Sequence, residues 1–249
     1  MIDNGILTDW KFWSLLVSIG ALILSQLPPI HILLRKAKLD LEVFSRIYIY
    51  HKVGNPNLQM HLIIRNLGGK SVRIKKIYAK VFRDGKEVMK LPAQTYISNP
   101  KENQNVLLTS FVLEPDKEWN NMASFLNYFD RNEEREYKAA ESNIKNEIFR
   151  LQSENQGVPL VHASESFVKP FKELVDKKFQ WFAGDYIIEV IIESDSQNKM
   201  VEKKYRFTIF ESLSNDFIKQ KEMFSTGAGI YWESTESTGS WVEIEEKSS

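Results

Sequence analysis

The sequence predicts a mainly β protein in which an N-terminal transmembrane helix is followed by an antiparallel β-sandwich with a helical insertion. Three observations support this fold class. An uncharged apolar run stands near the start of a polar chain, segments of alternating apolar and polar residues follow it, and a stretch of helical periodicity separates two groups of such segments. We divide the chain into residues 1–11, a membrane span 12–34, a basic segment 35–40, a sandwich 41–225 with an insertion at about 116–182, and an acidic hairpin or tail 226–249.

The apolar run over residues 12–34 contains 23 residues without a formal charge. About 20 apolar residues in a helix span the ~30 Å hydrocarbon core of a bilayer, so we interpret the run as a single membrane anchor. Trp10 and Trp13 lie at its front edge, where amphipathic rings suit the headgroup region. Pro28 and Pro29 predict a kink, because neither donates a backbone hydrogen bond. The residues after the prolines either complete the span or lie along the interface.

The charges that flank the anchor favour one orientation. Arg35, Lys36 and Lys38 follow the anchor, whereas Lys11 alone precedes it, and cytoplasmic flanks carry the excess of Lys and Arg. We therefore expect a short external N-terminus and a main domain on the cytoplasmic side of a bacterial inner membrane. The reverse orientation is the alternative. A cleaved signal peptide is disfavoured, because the first eleven residues lack its basic start.

A net charge of zero hides a division along the chain. Residues 35–90 contain 14 Lys and Arg against 4 Asp and Glu, whereas residues 91–249 contain 18 against 27. Cationic residues near an anionic leaflet each gain on the order of 1 kcal/mol, so this block is a candidate membrane-surface contact. Its candidate residues are Arg35, Lys36, Lys38, Lys70, Arg73, Lys75 and Lys76. Solvated strand faces are the alternative, and nucleic acid is disfavoured because the chain is neutral and lacks a binding motif.

Alternating hydrophobicity predicts most of the sheet. Strands are expected over residues 43–52, 58–66, 71–83, 87–91, 95–98, 105–113, 186–193 and 203–211. Asp84-Gly85 predicts a tight hairpin, because this pair accepts positive φ at both central positions of a type I′ turn. The successive outward residues Lys75 and Lys76 predict a β-bulge.

The middle of the chain shows a different period. Trp119, Met122 and Leu126 begin a series of apolar residues spaced near 3.6, which predicts helical structure over residues 116–155 with Asp116 as its cap. This segment forms either one long helix or a helical hairpin. Shorter helices are expected over residues 170–182 and 215–224.

The Gly184-Asp185-Tyr186 lead into an alternating strand resembles the Gly-x-Tyr at the start of a late strand in immunoglobulin-like sandwiches. In that fold the tyrosine braces a corner. The resemblance covers a few residues, lacks the cysteine pair and the central tryptophan, and implies the fold alone.

No motif in the sequence indicates a reaction. The four histidines lie on separate predicted elements, and His61 alternates onto an outer strand face. Ser164, two residues after His162, most simply caps the following helix. Residues 68–71 end like a phosphate-binding loop, but Ile64 stands where the first glycine is required. The absence of cysteine excludes disulfides, thiolate chemistry and cysteine metal sites. Because no catalytic or metal-binding motif is present either, we expect no catalytic site, no metal and no cofactor.

These observations favour a single-pass, membrane-anchored accessory or sensor subunit over an enzyme. Besides the lipid bilayer, its expected partner is a protein or a second copy of the chain, docked by the helical insertion or the acidic C-terminal end. Candidate partner-binding residues are Trp119, Phe129, Tyr137, Trp232 and Trp241. The alternatives are a membrane-bound hydrolase whose site forms only in the fold, and an envelope protein with a periplasmic sandwich.

Overall fold

The computed structural model describes residues 10–26, 36–98, 104–155, 158, 160–195, 200–234 and 239–247. The strands are β1 (Leu39–Lys52), β2 (Asn55–Asn66), β3 (Val72–Arg83), β4 (Lys86–Ile97), β5 (Asn105–Leu107), β6 (Phe111–Leu113), β7 (Glu118–Leu126), β8 (Gly184–Ser194), β9 (Met200–Ile209), β10 (Ser240–Glu243) and β11 (Glu245–Glu246). The helices are α1 (Trp10–Gln26), α2 (Arg131–Glu154), α3 (Glu165–Lys178) and α4 (Glu211–Lys219), and a 3₁₀ helix follows over Gln220–Thr226.

The strands form one antiparallel sheet in the order β10-β1-β2-β7-β4-β3-β8-β9-β11, with β5 beside β4 and β6 beside β3. The two ends of this order, β10 and β11, are consecutive in the chain, and they pair with β1 and β9. The sheet is therefore nearly barrel-shaped. The predicted mainly β, antiparallel architecture with helices is confirmed. A single curled sheet replaces the two facing sheets of a sandwich, and the immunoglobulin-like fold is therefore not confirmed.

The core fills the inside of this curled sheet. Along β2, the side chains of Leu58, Met60, Leu62 and Ile64 have no exposed surface, which confirms the face that the alternation predicted. Trp181 is also fully buried, and its indole N–H donates to the carbonyl oxygen of Tyr50 at 2.8 Å. Its polar group is thereby satisfied within the apolar interior.

The two local backbone predictions for β3 are confirmed. Asp84 and Gly85 have φ values of 51° and 80°, as a type I′ hairpin between β3 and β4 requires. The pairing of β3 with β8 shifts register between Ile74 and Lys76, which identifies the expected bulge.

The prediction that helical structure begins at Asp116 is wrong. Residues 118–126 form β7, which lies between β2 and β4 and pairs with both. Asp116 has a φ of 55° in the turn before this strand and caps no helix. The spacing of Trp119, Met122 and Leu126 fits a helix locally, but pairing on both edges satisfies the backbone of β7 in a strand.

The helical layer therefore begins at α2, as a single helix. Its first turn carries a capping box in which the Asp130 carboxylate accepts from the backbone N–H of Glu133, and the Glu133 carboxylate accepts from that of Asp130. The helix predicted at 170–182 begins earlier, as α3, and contains Pro170. Ser164 takes the N-cap position, but its hydroxyl bonds Ser166 rather than the helix backbone.

The C-terminal end does not form the predicted hairpin or tail within the residues that the structure describes. β10 and β11 pair with β1 and β9, not with each other, because each strand completes one free edge of the sheet. Pairing with distant strands satisfies backbone groups that an isolated hairpin would leave exposed to water.

The helix α1 contains 17 residues, Trp10–Gln26, and precedes the sheet in the chain. Across the described part of the chain, we find no helix that combines the length and the apolar character needed to cross a membrane. Residues 27–34 of the predicted anchor, including Pro28 and Pro29, lie outside the described residues, as do Arg35 and most of the predicted loop at 195–198.

Candidate functional site

Residues 36–38, which lead into β1, lie against the turn between β2 and β3. The N–H of Leu67 donates to the carbonyl oxygen of Lys38 at 2.8 Å. Asn66 organises this turn, because its fully buried amide donates to the carbonyl oxygens of Lys70 and Leu113 and accepts from the N–H of Gly68. Residues 36–38 thus meet the sheet at one defined end.

Several predicted membrane-contact residues come together at this end. We use the term proximal rim for Lys36, Lys38, Leu67, Lys70 and Arg73. Lys36, Lys70 and Arg73 are exposed, and the Leu67 side chain at the tip of the turn is 42% exposed. Cationic groups around an exposed leucine can contact anionic headgroups and the apolar layer beneath them.

Lys75 and Lys76 lie farther along β3 and line a separate groove of about 420 Å³. Lys90 lines the same groove, with its Nζ 4.0 Å from the centre of the Tyr78 ring. Glu193 is a carboxylate in the same lining. The candidate membrane-contact residues therefore divide between the proximal rim and this lysine groove, and Arg35 lies outside the described residues.

The five aromatic residues predicted to bind a partner differ in accessibility. Tyr137 is 6% exposed and its hydroxyl donates to the carbonyl oxygen of Ile230. Trp119 stacks on Phe111, and Phe129 packs against Tyr137, so these rings contribute to the core. The side chains of Trp232 and Trp241 are 39% and 51% exposed, and these two rings can contact a partner.

His51 is the most perturbed of the histidines. Its Nε2 lies 3.1 Å from the carbonyl oxygen of Phe217, and its Nδ1 accepts from the N–H of Gly54 at 3.0 Å. Burial lowers its pKa to about 4, the charge of Lys221 acts in the same direction, and the Phe217 carbonyl opposes them. A neutral, fully bonded imidazole between Phe179 and Phe217 is a structural group rather than a proton shuttle.

The other two histidines within the described part of the chain, His61 and His162, do not assemble a site; His31 lies outside it. His61 contacts the Asn120 side chain on the outer face, where the alternation predicted it. His162 Nδ1 lies 2.9 Å from Ser225 Oγ, not beside Ser164. Among the described residues, no group of three or more His, Asp or Glu side chains is placed to hold a metal ion.

A second and larger groove, of about 1000 Å³, lies on the outer surface where β9 and β10 approach each other. Trp241 lines it, and the Trp241 ring also packs on Tyr48 with 5.2 Å between ring centres. Sequence reasoning identified Trp241 but missed the groove, because its walls come from strands that are distant in sequence.

Comparison with known proteins assigns no family. No protein-family model matches the chain, and no curated protein matches its sequence. Among solved structures, the chain is similar to a protein from Archaeoglobus fulgidus, with 6% identity over 70% of this chain and 98% of that one and a TM-score of 0.26. A likeness this weak carries no argument about fold or function.

Proposed function

We propose that the protein is a membrane-tethered interaction module, in which α1 and the apolar residues after it enter the bilayer and the sheet domain binds a protein partner. The proximal rim then faces the lipid surface. The observation that carries this proposal is the exposure of large apolar side chains around α1. Binding rather than catalysis is supported by the histidines, which are dispersed over separate elements.

Large apolar side chains are exposed over more than half of the circumference of α1. Leu15, Leu16, Val17, Ile19, Leu22, Ile23 and Leu24 are each at least 46% exposed. At about 100° per residue these positions cover roughly 220° of the helix circumference, and Ser14, Ser18 and Ser25 lie together in the remaining arc. The apolar arc is about twice as wide as the roughly 100° stripe that an amphipathic helix packs on a water-soluble domain. Lipid is the environment that such a helix fits.

The three serine side chains of α1 are satisfied within the helix. The hydroxyls of Ser14, Ser18 and Ser25 donate to the carbonyl oxygens of Lys11, Ser14 and Leu22 at 2.7–3.1 Å. A hydroxyl bonded in this way needs no water, which suits a hydrocarbon environment.

The sequence supplies the additional length that a span needs. The 17 residues of α1 extend about 26 Å at 1.5 Å per residue, slightly less than a ~30 Å hydrocarbon core. The uncharged run continues through Leu34 before the cationic residues begin. Those cationic residues favour the cytoplasmic side of a bacterial inner membrane for the sheet domain.

Alkaline carbonate extraction of bacterial membranes that contain the full chain tests the tether. The wild-type chain should remain in the membrane pellet. Leu16→Arg places a charge at the centre of the apolar helix and should release at least ~10-fold more protein, because such a charge costs about 3 kcal/mol at the bilayer centre. Phe149→Arg is the control, since Phe149 is also exposed but lies on α2. Equal release of both variants would reject the tether.

The absence of native cysteine permits a clean test of orientation. A single thiol at the exposed position Glu154→Cys should react with a membrane-impermeant maleimide only after the cells are opened. Labelling of intact spheroplasts to the same extent would instead assign the sheet domain to the outer side.

Single thiols also test the proximal rim in proteoliposomes. Leu67→Cys and Lys86→Cys lie at opposite ends of β3, roughly 40 Å apart at 3.3 Å per residue. A dye at position 67 should be quenched several-fold more by spin-labelled headgroups than a dye at position 86. Equal quenching would contradict the proposed contact.

A further inference from the structure

The backbone of β10 has one edge paired with β1 and the other edge open. The N–H of Ile244 donates to the carbonyl oxygen of Ser45 at 2.8 Å, and Val242 and Ser240 are paired with Ile47 and Ile49. Because alternate residues of an antiparallel strand direct their backbone groups to opposite sides, those of Trp241 and Glu243 point away from β1.

The facing edge of β9 is paired over only part of its length. The N–H of Lys247 donates to the carbonyl oxygen of Lys204, and Arg206 is paired with Glu245. The same alternation directs the backbone of Thr208 to this edge. Continuing this register would place Glu243 opposite Thr208, but the described pairing of β9 with this segment ends at Glu245, and Glu243 follows the register of β1, opposite Arg46. Thr208 is paired with β8 on one side. On its other side, and along the open edge of β10, no strand is present among the described residues.

The groove of about 1000 Å³ lies along this opening, and we use the term seam groove for it. Trp241 and Phe210 line it with side chains that are 51% and 66% exposed. Thr208 and Asp185 contribute a hydroxyl and a carboxylate that bond each other at 2.7 Å. Open strand edges beside exposed aromatic rings are the features that an added strand uses, with backbone bonds for affinity and side-chain contacts for selectivity.

The charge of the seam groove specifies its occupant. Carboxylates from Asp84, Asp185, Glu243, Glu245 and Glu246 line it, against the cationic side chains of Arg206 and Lys247. Three of these carboxylates already have a cationic partner: Glu245 pairs with Arg206 at 2.6 Å, Glu246 with Lys203 at 3.1 Å and Asp84 with Arg83 at 4.0 Å. Glu243 and Asp185 therefore supply the excess negative charge. The excess of carboxylates attracts a cationic ligand, steers its approach and opposes an acidic one.

We propose that the seam groove binds a basic, extended segment of a partner protein, which adds as a strand along the open edge of β10. Trp241 and Glu243 are two residues apart and share the outward face of β10. Cationic side chains of the segment lie on that face, where their charges meet Glu243 and Asp185 and their alkyl stems pack on Trp241 and Phe210. The inference rests on the proposed role of the domain as an interaction module and names the chemistry of the partner. It does not depend on the membrane tether.

Peptide binding to the full chain in lipid nanodiscs tests the proposal. The probe is a fluorescein-labelled peptide of sequence KVKVKVKV, followed by anisotropy at low salt. It should bind at least ~10-fold more tightly than EVEVEVEV, because the acidic peptide meets like charges. A peptide KVKPKPKV keeps every lysine but cannot complete a ladder, and it should also bind at least ~10-fold more weakly. Equal affinity for the lysine and proline peptides would overturn strand addition.

Two variants and one control locate the binding site. Trp241→Ala and Glu243→Lys should each weaken KVKVKVKV binding by ~10-fold or more. Glu136→Lys changes the charge equally at an exposed position on α2 and should leave the affinity unchanged. Equal affinities for Glu243→Lys, Glu136→Lys and the wild-type chain would overturn the assignment to the seam groove. Carbonate extraction of the same variants separates this outcome from a failed tether, since peptide binding can be lost while membrane retention stays intact.

Discussion

The hydroxyl oxygen of Tyr186 lies 2.7 Å from the carbonyl oxygen of Phe182, four residues earlier in the chain. The same hydroxyl lies 2.9 Å from the carbonyl oxygen of Gln180. The Tyr186 ring is 1% exposed and stacks on Phe207 with 5.0 Å between ring centres. The ring and the hydroxyl therefore fix the segment between α3 and β8 to the start of β8.

Tyr186→Phe should lower the free energy of unfolding by about 1 kcal/mol. The ring and its packing remain, but the hydroxyl that serves two backbone carbonyls is lost. Urea unfolding of the full chain in mild detergent, followed by tryptophan fluorescence, measures the change. Tyr128→Phe is the matched control, because Tyr128 is 62% exposed, and it should be neutral. Equal stability of both variants would show that the Tyr186 hydroxyl does not stabilise this corner.

The corner illustrates what a local pattern can predict. Gly184-Asp185-Tyr186 resembles a motif whose tyrosine braces a corner, and the Tyr186 hydroxyl does bond two backbone carbonyls, although the immunoglobulin-like fold that the resemblance implied is not confirmed. The hairpin at Asp84-Gly85 and the buried face of β2 were predictable for the same reason, because both depend on neighbouring residues alone.

Pairing between distant segments was not predictable. β7 has a spacing compatible with helix and strand, and its strand form depends on β2 and β4 on either side. β10 and β11 contain four and two residues, too few for a periodic signal, yet they join β1 to β9. The seam groove exists only because of that closure. The burial of His51 was predictable from the sequence, because alternation along β1 places it on the same inward face as Ile47 and Ile49.

Gly54 should tolerate no side chain, because the hairpin tip at Val53-Gly54 contacts α3. A Cβ at Gly54 would lie 2.5 Å from the Val175 Cα, and its φ is 82°. Gly85 has nearly the same φ, 80°, with nothing within 4 Å. Gly85→Ala should cost about 1 kcal/mol from backbone strain alone. Gly54→Ala should cost at least about 2 kcal/mol more, because α3 must move.

Thermal or urea unfolding of the two glycine variants measures that difference directly. Because the backbone strain is common to both positions, the excess for Gly54→Ala reports the contact between the hairpin and α3. Equal losses of stability would indicate that α3 does not rest on this hairpin in solution.

The capping box of α2 should be measurable at Asp130. Asp130→Ala removes the acceptor of two backbone N–H groups, from Asn132 and Glu133, and should destabilise the chain by about 1 kcal/mol. Asp130→Asn keeps an acceptor oxygen and should destabilise the chain by only about 0.3 kcal/mol. Guanidinium unfolding of the two variants provides the comparison. Equal destabilisation by Ala and Asn would attribute the effect to charge rather than to capping.

His51 should make the sheet domain less stable as the pH falls below neutrality. Burial lowers the pKa of His51 from 6.5 to about 4 in the folded chain. Between pH 6.5 and pH 4 the unfolded chain binds a proton at His51 that the folded chain does not. The free energy of unfolding therefore decreases by about 1.4 kcal/mol for each unit by which the pH falls in this range. This contribution is complete above pH 6.5 and is lost as the pH falls toward 4.

Urea unfolding at pH 6.5 and pH 5 should therefore show a loss of about 1.6 kcal/mol from His51 in the wild-type chain. His51→Gln removes the titrating ring and should reduce this pH dependence, whatever its effect on stability at pH 7. His61→Gln is the control, because His61 lies on the outer face with Asn120, and it should keep the wild-type slope. If the free energy of unfolding depends on pH equally in His51→Gln and in the wild-type chain, the pKa of His51 is the same in the folded and unfolded states. Proton NMR titration of the His51 ring checks the lowered pKa in the folded chain directly.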